Sequence, residues 1–228
     1  ADGQRVRLWG AIGNFPGGKV QVGDDAYFGQ RERVRRIKKV GFNAFRIWHL
    51  SFDDAATKGD LSGTDLSDFF VAECGRQGVR LWAAGFGGGR VFEREFERAA
   101  DIVDDAASRG PWLEAVRAMA KEHWWSKKEK AISLLEMPVA WDPRMEALAI
   151  AQMRQKAMHV NLHTGLRHAD DPTFAVWELT NEQWWMRKMM GGQWQGLPPY
   201  FRAKLIERWN AWLQAKYGGM DALRAAWG

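Results

Sequence analysis

A single cysteine, Cys74, stands in the 228-residue chain. That excludes an intrachain disulfide and a thiolate-based zinc site, and leaves the redox compartment open. No apolar run approaches the roughly 20 residues that a membrane-spanning helix needs, so no membrane partner is expected. The start, ADGQRVRLWG, has no basic-then-apolar leader, so a signal peptide is expected to be already removed or never present. No H-E-x-x-H, no Walker Lys-Ser/Thr and no recognised nucleic-acid module occurs. Internal repeats and low-complexity tracts are missing as well.

What remains is a globular composition, 46% hydrophobic and 27% charged, enough for one sizeable core. The net charge of +5 does not point to nucleic acid, because Lys and Arg alternate with acids in stretches such as RERVRRIKK and VFEREFERAADIVDD. Those read as solvated faces. Tryptophan is abundant, 14 residues against 3 tyrosines. Its rings fill cores and also offer flat apolar faces to CH-rich ligands such as sugars.

Strand and helix patterns alternate along the chain. Val6 to Ala11 reads as a strand, 31–40 as a helix stopped by Gly41, and Phe42 to Trp48 as a second strand. A helix capped by Asp65 leads to a third strand, Val79 to Ala84, which enters the glycine-rich loop Gly85 to Arg90. From 90 to 141 only helical periodicity is visible, with Pro111 at an expected helix start, and this segment (91–141) reads as a helical insertion. A helix over Pro143 to Val160, a strand over Phe174 to Thr180 and two terminal helices follow, with Trp209 and Trp212 expected in a core. Apolar strands alternating with helices predict an α/β fold on a parallel sheet, either doubly wound or part of a TIM barrel. In both, ligands sit at the carboxyl ends of the strands, where Arg46 to His49, the glycine loop and Asn181-Glu182 fall.

Val176-Trp177-Glu178-Leu179 is apolar apart from Glu178 and delivers Glu182 to a strand terminus beside Trp184 and Trp185. A carboxyl among aromatic rings is expected to have a raised pKa, as a general acid requires. His159 and His163, four apart, and nearby His168 fall at a helix end, where hydrogen-bonded roles are expected rather than a metal site. Trp48, Trp82, Trp141, Trp184, Trp185 and Trp194 are candidate sugar platforms.

The run HVNLHTGLRHADDPTFAVWELTNEQ resembles the fourth-strand region of clan A glycoside hydrolases, retaining TIM-barrel enzymes such as family 5 cellulases and mannanases and family 42 β-galactosidases. DGQRVRLWG resembles their first strand, GFNAFRIWH their second, and YFRAKLIERWNAWLQAKYGGMDALRAAWG the elements after strand four. The resemblance implies the first half of a (β/α)8 barrel, roughly β1 to α4, with 1–228 as one partial catalytic domain. It implies Glu182 as acid/base, Asn181 on the sugar 2-hydroxyl, Arg46 beside the nucleophile, and His49 and Trp48 near the sugar. The implied function is retaining hydrolysis of a β-linked glucan, mannan or galactoside, without metal or other cofactor, in a secreted or periplasmic setting.

The chain departs from the family pattern in three places. Ile12 stands where an Asn often follows strand one, and Phe86 and glycines stand where many members carry a His after strand three. The family's nucleophile is a Glu ending strand seven, whereas after Glu182 the only acids are Glu207 and Asp221, both in helical patterns. The alternative is therefore a carbohydrate-binding fragment needing a missing half or a second copy; a doubly wound nucleotide-binding protein is a third reading.

Overall fold

The computed structural model describes residues 5–13, 25, 27–48, 50, 63–84, 89–122, 130–181 and 185–228. The chain divides into two compact units, residues 1–87 with 153–181, and residues 88–152 with 182–228.

The first unit is built on four parallel strands, β1 (Gly10–Gly13), β2 (Ala44–Ile47), β3 (Arg80–Ala83) and β6 (Phe174–Trp177), in the order β1-β2-β3-β6. Strand order follows chain order without reversal. Helix α1 (Phe28–Lys39) buries Val34 and Ile37, three apart, and leaves Arg35, Arg36, Lys38 and Lys39 in water. Basic residues in its last turn oppose the negative end of the helix dipole, and Gly41, at φ +84°, takes the left-handed turn that ends it. Helix α2 (Gly63–Arg76) is buried almost all round from Leu66 to Cys74. Asp65, expected as its N-cap, lies inside the first turn.

Both helices pack on one face of the sheet. Val34 and Ile37 of α1 and Phe70, Val71 and Cys74 of α2 share a core with Phe45, Ile47, Leu81, Ala83 and Phe174. Each fully buried large apolar side chain contributes about 1.5–3 kcal/mol to this packing. The strands alternate accordingly: Phe45, Ile47, Leu81 and Ala83 point to the helices, and Ala44, Arg46, Arg80 and Trp82 to the other face. β6 carries an extra residue, because Leu81 pairs with Phe174 but Trp82 pairs with Val176, leaving Ala175 unpaired.

The first strand begins later than Val6. Asn43 explains why: its side chain accepts from the Trp9 N–H at 2.7 Å and donates to the Arg7 carbonyl at 2.9 Å. The stretch before Gly10 is thus tied down by the Asn43 side chain together with the Trp9 carbonyl, which accepts from the Asn43 and Ala44 N–H groups at 2.9 and 3.2 Å, and Val6, Leu8 and Trp9 stay exposed.

The second unit corrects the expectation that 90–141 holds no strand. β4 (Arg90–Phe92) and β5 (Ala131–Ser133) pair antiparallel, with Val91 opposite Ile132 and both buried. Helices α3 (Phe96–Ala100), α4 (Ala106–Glu122), α5 (Pro143–Met158), α6 (Trp185–Met190), α7 (Pro199–Tyr217) and α8 (Met220–Trp227) complete the described helices. α4 starts before Pro111, not at it, because the Asp105 carboxylate accepts from the Ser108 N–H and caps the helix there. No described helix is long and apolar enough to cross a membrane.

Two tryptophan expectations are also corrected here. Trp141 is buried and donates its indole N–H to the Phe201 carbonyl at 2.9 Å, so it is a core residue and not a platform. Trp209 and Trp212, expected in a core, are 47% and 45% exposed and stack on each other at 5.1 Å. Only Phe201, at the start of the same helix, is fully buried.

Candidate functional site

The carboxyl ends of β2, β3 and β6 carry one polar cluster on the face away from α1 and α2. Arg46 leaves β2 on that face. Its Nε donates to Glu178 Oε2 at 2.8 Å and its Nη2 to Glu178 Oε1 at 2.5 Å, a two-pronged pair. The same Nη2 donates to Asn181 Oδ1 at 2.7 Å. The two charged side chains are largely withdrawn from water, 17% and 15% exposed.

Aromatic rings flank the cation. The Arg46 guanidinium carbon lies 4.2 Å from the Trp48 ring centroid and 5.3 Å from that of Trp82. The hydrogen bond from Arg46 holds the Glu178 carboxyl below the usual glutamate range; burial opposes this, and the Trp82 side chain adds a further hydrogen bond. Glu178 is therefore an ionised, oriented acceptor, not a proton donor. Below the cluster the open sheet face forms a concavity of about 310 Å³, lined by Leu8, Ile12, Arg46, Trp82 and Val176 among others. Trp82 is 41% exposed and lines it. Chemically, this is a fixed charge pair and an amide beside an apolar, aromatic floor, which suits a polyhydroxylated ring with one apolar face.

Arg46, Asn181 and Trp48 are thus brought together. Glu182, Trp184 and His49 lie outside the described residues, as do Gly85 to Gly88 of the glycine loop; Trp185 opens α6, and its side chain also lies outside them. Trp194 sits half-buried in a short turn of the second unit. Glu207 and Asp221 fall within α7 and α8, and Glu207 pairs with Lys204.

Sequence reasoning missed Glu178 as the partner of Arg46. Its signal was a lone carboxylate in an apolar strand, which a buried cation must meet.

A second group of polar side chains lies where α2 meets the loop after α5. His159 Nε2 is 2.9 Å from both carboxylate oxygens of Asp68, and His163 Nε2 is 2.9 Å from Asp65 Oδ1. The histidines thus take the hydrogen-bonded positions expected at this helix end. Burial pushes the Asp68 carboxyl up, but hydrogen bonds from His168, the Leu162 N–H and His159 outweigh it and leave the group below the usual aspartate range. Asp68, His159 and His168 are the group of described side chains whose donor atoms lie close enough together to hold a metal. Set against known proteins, the chain matches no family model, no curated protein and no solved structure.

Proposed function

We propose that the chain supplies the acid/base side of a retaining β-glycosidase acting on a glucan, mannan or galactoside. Glu182 protonates the glycosidic oxygen and later activates water, and Asn181 orients the sugar 2-hydroxyl. The observation that carries this reading is the Arg46–Glu178–Asn181 cluster at the carboxyl end of a parallel sheet, beside the exposed Trp82. Asn181 is held by Arg46 one residue before Glu182, so the strand end is anchored where the acid follows. The chain-order sheet with α1 and α2 on one face favours a singly wound, barrel-type half over a doubly wound sheet.

A second reading, a carbohydrate-binding half-site without turnover, is favoured by the carboxylates. A retaining enzyme needs two carboxyl groups about 5–5.5 Å apart. Glu178 is committed to Arg46, and Glu207 and Asp221 sit on helices. The nucleophile is then expected from a second chain or a missing barrel half.

One experiment tests both. Aryl β-glycosides with good and poor leaving groups are assayed with the chain alone and with any longer product of its gene. Glu182→Gln in the active form should cut turnover of poor leaving groups far more than that of activated ones; equal loss on both removes the acid assignment. Binding of β-linked oligosaccharides without hydrolysis by any form selects the second reading.

A further inference from the structure

We propose that Asp68, His159 and His168 form a binding site for one divalent transition-metal ion of the zinc class. The proposal is independent of the glycosidase reading, because its residues lie on α2 and on the loop after α5 and none takes part in the Arg46 cluster.

The donor set comes first. Two imidazole nitrogens and one carboxylate oxygen form the N2O set that zinc takes from proteins, with a fourth position left to water. The three donor atoms lie within 4.8 Å of one another. Asp68 Oδ1 is 2.9 Å from His159 Nε2 and 3.6 Å from His168 Nε2. Around a tetrahedral ion with bonds of about 2.0–2.1 Å, ligand atoms stand roughly 3.3 Å apart. The two measured separations bracket that value, and the two imidazole nitrogens, no more than 4.8 Å apart, would draw together by ring rotation.

The site is also held in place from behind. Asp68 Oδ2 accepts from the Leu162 N–H at 2.8 Å, which fixes the carboxylate plane and leaves Oδ1 toward the imidazoles. The side chain of Asn161, itself fully buried, donates to the Asp68 carbonyl at 2.9 Å and accepts from the His163 and Thr164 N–H groups at 2.8 and 3.1 Å. An antiparallel bridge between Val160 and Arg167, with the His168 N–H on the His159 carbonyl at 2.9 Å, makes the two histidines cross-strand neighbours. Their rings stand 4.8 Å apart at 66°. Such outer contacts orient metal ligands before the ion arrives.

Charge and exposure agree with this. Asp68 and His168 side chains are each 1% exposed and His159 is 20% exposed, so an ion and its water enter on the His159 side. The buried Asp68 carboxylate already accepts from the Leu162 N–H and lies 2.9 Å from His159 Nε2, and a bound dication would add the full positive charge this anion favours. The sequence spacing of the histidines alone gave no third ligand; the fold supplies Asp68 from 91 residues away. The ion would clip α2 to the 159–168 loop.

The test uses the whole chain, stripped with a chelator and titrated with Zn2+ by calorimetry and with Co2+ by visible absorption. The expected result is one ion per chain, a four-coordinate cobalt spectrum and a raised melting temperature. In the unmutated protein, 15N shifts of His159 and His168 should move on Zn2+ addition while those of His163 stay. His159→Gln and Asp68→Asn should weaken binding at least tenfold, and His163→Gln should leave it unchanged. No saturable binding, shifts confined to other histidines, or full affinity in His159→Gln would overturn the proposal and leave a hydrogen-bonded Asp–His cluster. If Asp68→Asn does not fold, the nitrogen shifts and His159→Gln still decide.

Discussion

Arg46 and Glu178, 132 residues apart, grip each other by two hydrogen bonds of 2.8 and 2.5 Å across the end of the sheet. Glu178 also fixes which way Arg46 faces, and through Nη2 where Asn181 sits. Glu178→Gln keeps the shape but removes the charge. It should lower unfolding free energy by about 1–3 kcal/mol, since a largely buried guanidinium loses its ionic acceptor. Urea denaturation measures this; an unchanged midpoint would show that the pair contributes nothing net.

The same pair predicts a pH signature. Arg46 holds the folded-state pKa of Glu178 below its unfolded value. Its stabilisation is therefore fully present above the ordinary glutamate pKa of about 4.3 and is lost as pH falls through the lower folded value. The acid limb of a stability–pH curve should be shallower for Glu178→Gln than for the unmutated chain.

Gly10 lies where β1 meets β2 too closely for a side chain. A Cβ there would stand 2.6 Å from the Ala44 carbonyl oxygen, a backbone atom that cannot step aside. Gly10→Ala should cost about 1–3 kcal/mol by prying the two strands apart. Thermal unfolding checks it, with Gly110→Ala, whose added Cβ meets nothing within 4 Å, as the comparison.

Cys74 sits in the core beneath the sheet, fully buried, and desolvation pushes its thiol well above the usual range. A disulfide reagent should modify the native chain about a hundredfold or more slowly than the urea-unfolded chain, because reaction waits on opening of the core. Rapid native labelling would contradict the packing of α2.

Trp82 is the test of the sugar platform. Trp82→Ala should weaken β-linked oligosaccharide binding by about tenfold, the loss of one aromatic stacking contact. Tryptophan fluorescence titration reads it out. Equal affinity in both proteins would remove Trp82 from the binding surface.

Much of the first unit was legible because its signals are local. The apolar runs around Phe45 and Leu81, the 3.6-residue spacing of Val34 and Ile37 and the stop at Gly41 need no knowledge of distant residues. Arg46 and Asn181 could be placed together because both fall at the carboxyl ends of strands that end on one side. Long-range pairings were not legible. Glu178 meets Arg46, and Asp68 meets His159, only once the sheet and α2 have assembled. β4 and β5, three residues each, are too short to show a period. Helical spacing put Trp209 and Trp212 on one face correctly, but spacing cannot say whether that face is covered.

The extra residue in β6 makes the site sensitive to chain length rather than to chemistry. Phe174 and Trp177, three apart, both lie against the helices only because Ala175 is unpaired, and Glu178 then emerges toward Arg46. Inserting one codon between Val176 and Trp177 would leave every polar side chain of the cluster intact. It would nevertheless reverse the facing of the strand relative to Phe174, turning Glu178 into the apolar core and Trp177 into water. An insertion that spares all the chemistry would thus erase the site, and a natural variant carrying it would look harmless in any alignment of functional residues.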